Sequence, residues 1–146
     1  MVINSTGSAI LGFARDAKDN KAAEETRLWR RERGHKTVEI PIAVQQACFP
    51  VWSDDVWILD AQGKVSCWGV DSGQPKTATK KFMLDVPLPV ASLIDLPGEG
   101  EFVMGFGGRI HAVQIDVVNS VVKQTELAGT SCHLVPLESA MPLESA

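Results

Sequence analysis

The chain has few of the residues on which disulfide-stabilised and metal-binding proteins depend. Only three cysteines and three histidines occur among its 146 residues. Cys48, Cys67 and Cys132 are too widely spaced for a metal-binding motif, and their odd number does not suit a disulfide framework. We therefore expect free thiols and a reducing, cytoplasmic compartment.

Long apolar stretches are also missing. No run approaches the roughly 18 apolar residues that a membrane helix needs, and residues 1–13 lack the basic and apolar segments of a cleaved signal. We therefore expect no contact with a membrane. Hydrophobic residues nevertheless make up 45% of the chain, which argues against intrinsic disorder and predicts a folded core.

The sequence lacks the common signatures of catalysis. It has no Gly-x-Ser-x-Gly nucleophile motif, and the adjacent Cys132 and His133 would point to opposite faces of a strand. The glycine-rich residues 105–108 lie between two strand-like runs, which predicts a hairpin turn, because a phosphate-binding loop leads into a helix. We expect a protein that is not an enzyme and binds no metal or cofactor.

The chain does contain many short apolar runs that are rich in β-branched residues. Glycine and proline turns separate them, which is typical of antiparallel β-proteins. These runs predict an all-β fold, an antiparallel meander of short strands. The predicted strands cover residues 37–44, 56–59, 65–70, 82–84, 90–96, 102–106, 110–115 and 117–127.

A repeat runs through these strands. A tryptophan or isoleucine at the end of a strand is followed five residues later by glycine or serine, in the pairs Trp29 and Gly34, Trp68 and Gly73, and Ile115 and Ser120. The first two copies, in residues 28–34 and 65–73, resemble the third strand and following turn of a WD40 β-propeller blade. The family's Trp-Asp pair is replaced by Trp29-Arg30 and Trp68-Gly69.

The WD40 resemblance implies a partial β-propeller. Residues 1–129 would form about three blades, and residues 130–146 an edge strand and a flexible tail. Closed propellers have about four to eight blades, so open sheet edges would remain for pairing with another chain. The resemblance therefore implies a non-catalytic protein–protein interaction or scaffold module. We expect residues 8–13 to form an edge strand that pairs with residues 132–137 of a neighbour.

Residues 20–33 allow a different prediction. Asp19 and Asn20 could cap a helix that contains good helix formers and ends at Gly34. The fold would then be a small α+β domain with a helix before an antiparallel sheet. The repeat favours a loop over residues 16–25 followed by a strand through Trp29.

Charge is divided unevenly along the chain. Residues 1–36 carry eight basic and five acidic side chains, whereas residues 37–146 carry six basic and thirteen acidic side chains. This division predicts an acidic protein partner or a second copy of the chain. The predicted partner-binding residues are Arg27, Trp29, Arg30, Arg31 and Arg33. The alternatives are nucleic-acid binding through residues 27–36 and a small β-domain enzyme with an unrecognised pocket.

Overall fold

Twelve short strands form three four-stranded antiparallel sheets in the computed structural model, which describes residues 1–14, 20–34, 36–70, 78–86 and 88–128. No α-helix occurs in these ranges. The predicted all-β class and antiparallel meander are therefore confirmed. Residues 129–146, which include the expected strand at 132–137 and the tail, lie outside the described residues.

The strands of each sheet follow one another along the chain. Sheet 1 contains β1 (Val2–Ile3), β2 (Ala9–Gly12), β3 (Arg27–Arg30) and β4 (Thr37–Glu39). Sheet 2 contains β5 (Val44–Cys48), β6 (Val56–Asp60), β7 (Val65–Gly69) and β8 (Thr79–Leu84). Sheet 3 contains β9 (Val90–Asp95), β10 (Glu101–Phe106), β11 (Arg109–Asp116) and β12 (Val121–Ala128).

Sheet 2 lies between the other two sheets. Val56 and Ile58 of β6 pack into a core shared with sheet 1, and Trp57 and Leu59 pack into a core shared with sheet 3. All four side chains are fully buried. The apolar run at 56–59 has no polar positions because successive side chains of a strand point to opposite faces, and both faces of β6 are covered.

Loop contacts hold the matching ends of sheets 2 and 3 side by side. At one end, the indole nitrogen of Trp52 donates a hydrogen bond to the carbonyl of Leu96 over 3.0 Å. At the opposite end, the backbone N–H of Val90 donates to the carbonyl of Gly63 over 2.8 Å. We call these the Trp52 end and the Gly63 end. Among the connections that are described in full, the Trp52 end carries β1–β2, β5–β6, β9–β10 and β11–β12, and the Gly63 end carries β4–β5, β6–β7 and β10–β11.

The structure decides between the two predictions for residues 20–33. Asn20–Glu25 forms a 3-10 helix, and the chain then continues as β3 through Trp29. The predicted helix is therefore wrong and the strand is confirmed. Thr26 ends the helical turns because its hydroxyl donates to the carbonyl of Ile42 over 2.5 Å, and Arg27 can then pair with Glu39 of β4.

The first strand was not expected from the sequence. Val2–Ile3 forms β1 and pairs with Leu11 and Ile10 of β2. The expectation that residues 8–13 form a sheet edge is therefore wrong, since β2 pairs with β1 on one side and β3 on the other. A strand of two residues is too short to give an alternating pattern.

Candidate interaction surfaces

The predicted partner-binding residues do not form one patch. Arg27 and Trp29 alternate with Leu28 on β3, so both lie on the face of sheet 1 that points away from sheet 2. Arg27 is exposed, and the indole nitrogen of Trp29 donates a 2.6 Å hydrogen bond to the carbonyl of Gly34. Arg31 is exposed at the Trp52 end. The side chain of Arg33 lies outside the described part of the chain.

Arg30 is committed to contacts within its own chain. Its guanidinium donates to the carboxylate of Glu32 and to the backbone carbonyl of Asp54, each over 2.7 Å. Only 16% of its side chain is exposed. Arg30 therefore joins the β3–β4 connection to sheet 2. Of the predicted arginines with described side chains, Arg27 and Arg31 are exposed.

The three repeat residues occupy equivalent places. Trp29, Trp68 and Ile115 lie on β3, β7 and β11, the third strand of each sheet. Trp68 packs against the core between sheets 1 and 2, and Ile115 belongs to the core between sheets 2 and 3. Each of these two side chains therefore points to the preceding sheet. Trp29 has the same orientation, and no sheet formed by the described residues lies in front of it.

We call the face of sheet 1 that carries Trp29 the leading face. A row of paired side chains crosses all four strands on this face, and it is apolar on the first three strands. Paired residues of neighbouring antiparallel strands share a face, and here they are Ile3, Ile10, Trp29 and Thr37. Ile3 is 53% exposed and Ile10 is half-buried. Val56, which pairs with Trp68 as Ile10 pairs with Trp29, is fully buried under sheet 1.

A second row crosses the outer face of sheet 3, which we call the trailing face. Its paired residues are Ile94, Val103, Ala112 and Thr125. The first three are half-buried and Thr125 is exposed. The opposite face of β10 carries Phe102 and Met104, which are fully buried against sheet 2. The leading and trailing faces are thus the two sheet faces that no sheet of the described residues covers.

A cleft of about 740 Å³ opens between sheets 2 and 3 at the Trp52 end. Its lining includes Trp52, Trp57, Asp55 and Lys123. The buried indole nitrogen of Trp57 has no hydrogen-bond partner among the described residues. The carboxylate of Asp55 forms a 3.1 Å ion pair with Lys81.

The described residues contain two cysteines, Cys48 and Cys67, and one histidine, His111. Burial raises the pKa of the Cys67 thiol to about 12, and burial followed by the nearby Asp95 carboxylate raises that of Cys48. Both thiols are free and remain protonated at neutral pH. His111 is buried and stacks on Phe106, with ring centroids 3.9 Å apart. In the described ranges, no three His, Cys, Asp or Glu residues cluster as metal ligands would.

Comparisons of the chain with family models, curated proteins and solved structures find no match. Among the described residues, no helix has both the length and the apolar character needed to cross a membrane.

Proposed function

We propose that this chain is a non-catalytic protein–protein interaction module built from WD40-like blades, and that a second chain covers its open sheet faces. One observation carries the proposal. Sheet 2 is covered on both sides, whereas the leading face of sheet 1 and the trailing face of sheet 3 each keep an apolar row that no sheet of the described residues covers.

The burial of the second strands supports the same function. β2 buries Ala9 and Leu11 on the covered face and leaves Ile10 half-buried on the leading face. β10 buries Phe102 and Met104 on the covered face and leaves Val103 half-buried on the trailing face. A sheet face that permanently meets water normally carries polar residues. Aliphatic residues at the open positions therefore favour faces that are buried in an assembly.

The free, protonated thiols of Cys48 and Cys67 fit the reducing compartment expected from the sequence. We propose that the protein acts in the cytoplasm. Its partner is then a protein, or another copy of the chain, that presents a complementary apolar sheet face.

Copurification with face variants tests the proposed function. The tagged chain is expressed in the cells of its source and crosslinked, and the recovered proteins are quantified. Ile10→Glu places a charge on the leading face and Val103→Glu on the trailing face. Val118→Glu is the control, because Val118 is 91% exposed in the β11–β12 turn and lies on neither face.

We expect at least one stoichiometric protein, which can be an untagged copy of the chain, to be lost with a face variant and kept with Val118→Glu. Crosslinks to that protein should map to the leading or trailing face. Identical recovery with the wild type and with both folded face variants would overturn the proposed function.

A further inference from the structure

We infer that a second copy of this chain covers the open faces, with the leading face of one copy packed on the trailing face of the other. The inference rests on the proposed function and identifies the partner. The contact would be head-to-tail, and two such contacts between two copies would close a ring of six sheets. Six lies within the range of about four to eight sheets at which such rings close.

The two junctions inside the chain are the pattern for this contact. Each sheet has a following side, which points to the next sheet along the chain, and a preceding side, which points to the sheet before it. In each junction the following side of one sheet packs on the preceding side of the next, as Leu11 and Ile58 do between sheets 1 and 2. The trailing face is a following side, and the leading face is a preceding side. A second copy therefore offers each open face the kind of face that the corresponding covered faces meet at the junctions inside the chain.

The two open rows are also alike in composition. Each has apolar side chains on the first three strands of its sheet and a threonine on the fourth, Thr37 on the leading face and Thr125 on the trailing face. Because both rows run across the whole sheet from the first strand to the fourth, stacking two copies with their ends aligned brings apolar side chains against apolar side chains. The exposed threonines then fall together at the rim, where polar residues are expected.

Charge favours contact between unlike faces over contact between like faces. Residues 1–36, which supply most of sheet 1, have a net charge of +3 from eight basic and five acidic side chains. Residues 90–128, which form sheet 3, have a net charge of −3 from five acidic and two basic side chains. Sheet 1 of one copy would attract sheet 3 of another, whereas two copies of sheet 1 or of sheet 3 would repel each other.

Light scattering on the purified chain and its variants tests this arrangement. The wild type should have twice the monomer mass of 15.8 kDa. Ile10→Glu and Val103→Glu should each raise the apparent dissociation constant of the dimer by about a hundredfold or more, because a charge is buried in each junction. Val118→Glu should dimerise like the wild type.

An equimolar mixture of the two face variants separates head-to-tail contact from other contacts. The Ile10→Glu chain keeps its trailing face and the Val103→Glu chain keeps its leading face, so the mixture can form one intact junction. Dimers should reappear in the mixture at concentrations where each variant alone is monomeric. Should either variant fail to fold, Ile3→Glu and Thr125→Glu change exposed members of the same rows.

A wild type that stays monomeric overturns the second-copy inference, and so does a face variant that dimerises as well as the wild type or a mixture that stays monomeric. None of these results overturns the proposed function, which fails only when the face variants retain every copurifying protein. The two failures are therefore distinguishable.

Discussion

At the scale of single residues, Trp57 is the largest fully buried side chain of the core. Its ring centroid lies 5.8 Å from that of Phe82 in the same sheet and 4.8 Å from that of Phe102. The contact with Phe102 joins sheets 2 and 3. The repeat directs attention to Trp68, which is only half-buried and whose indole nitrogen donates to Ser66 over 2.8 Å. A repeated position in the sequence marks an equivalent place in the fold, and burial at that place also depends on the neighbouring sheet.

We expect Trp57→Ala to lower the free energy of unfolding by roughly 3–5 kcal/mol, because it leaves a large cavity. Trp68→Ala should cost clearly less. Trp57→Phe should cost less than its lost volume alone predicts, because it also removes a buried N–H that has no partner among the described residues. Chemical denaturation of the three variants measures these differences. An equal cost for Trp57→Ala and Trp68→Ala would contradict the burial difference.

The Cys67 thiol gives a pH dependence of stability. Its pKa is raised from 9.0 to about 12 in the folded state, mainly by burial, so above pH 9 the unfolded chain loses a proton that the folded chain keeps. The contribution of the Cys67 thiol to the free energy of unfolding is complete below pH 9. It is lost as the pH rises toward 12, by up to about 1.4 kcal/mol per pH unit. Denaturation of wild type and Cys67→Ala from pH 8 to 11 should give a shallower decline for the variant. Parallel declines would show that the thiol ionises equally in both states.

At the scale of elements, the sequence predicts strands where local signals agree. The run at 56–59 and the turn at 107–108 were both identifiable, and the turn is confirmed by positive φ angles of 62° at Gly107 and 70° at Gly108. β5 (Val44–Cys48) was largely missed because Gln45 and Gln46 interrupt its apolar pattern. The structure explains Gln46, whose side-chain oxygen accepts a 2.8 Å hydrogen bond from the backbone N–H of Leu93 and thereby joins β5 to β9.

The β9–β10 connection depends on a glycine at position 100. Gly100 has a φ of 73°, its carbonyl accepts a 2.8 Å hydrogen bond from the N–H of Ile115, and a Cβ atom here would collide with the Ile115 carbonyl oxygen. Gly100→Ala should lower the free energy of unfolding by at least about 1–2 kcal/mol. Gly12→Ala is the control, because the nearest atom to its added Cβ would be 4.0 Å away. Thermal denaturation compares the two, and equal costs would contradict the argument.

At the scale of the whole molecule, the order of the sheets decides which residues can form a site. Arg27, Trp29 and Arg30 are neighbours in the sequence, but alternation on β3 sends Arg30 toward sheet 2 and the other two to the leading face. The trailing face could not be identified from sequence because Ile94, Val103 and Ala112 come from three strands with no shared motif. Their relation depends on strand register, which composition and spacing do not specify.

The stacking of three sheets also predicts how stability is distributed. Side chains of β6 are buried on both faces, whereas every described side chain of β12 is exposed and β12 is an edge strand of sheet 3. Opening β6 therefore disrupts two cores, and opening β12 disrupts little buried surface. Hydrogen exchange should be slowest in β6 and β7 and roughly a hundredfold or more faster at the hydrogen-bonded amides of β12. The comparison should use concentrations at which the chain is monomeric, so that association does not protect the outer sheets. Equal protection of β6 and β12 would instead mean that the three sheets unfold as one cooperative unit.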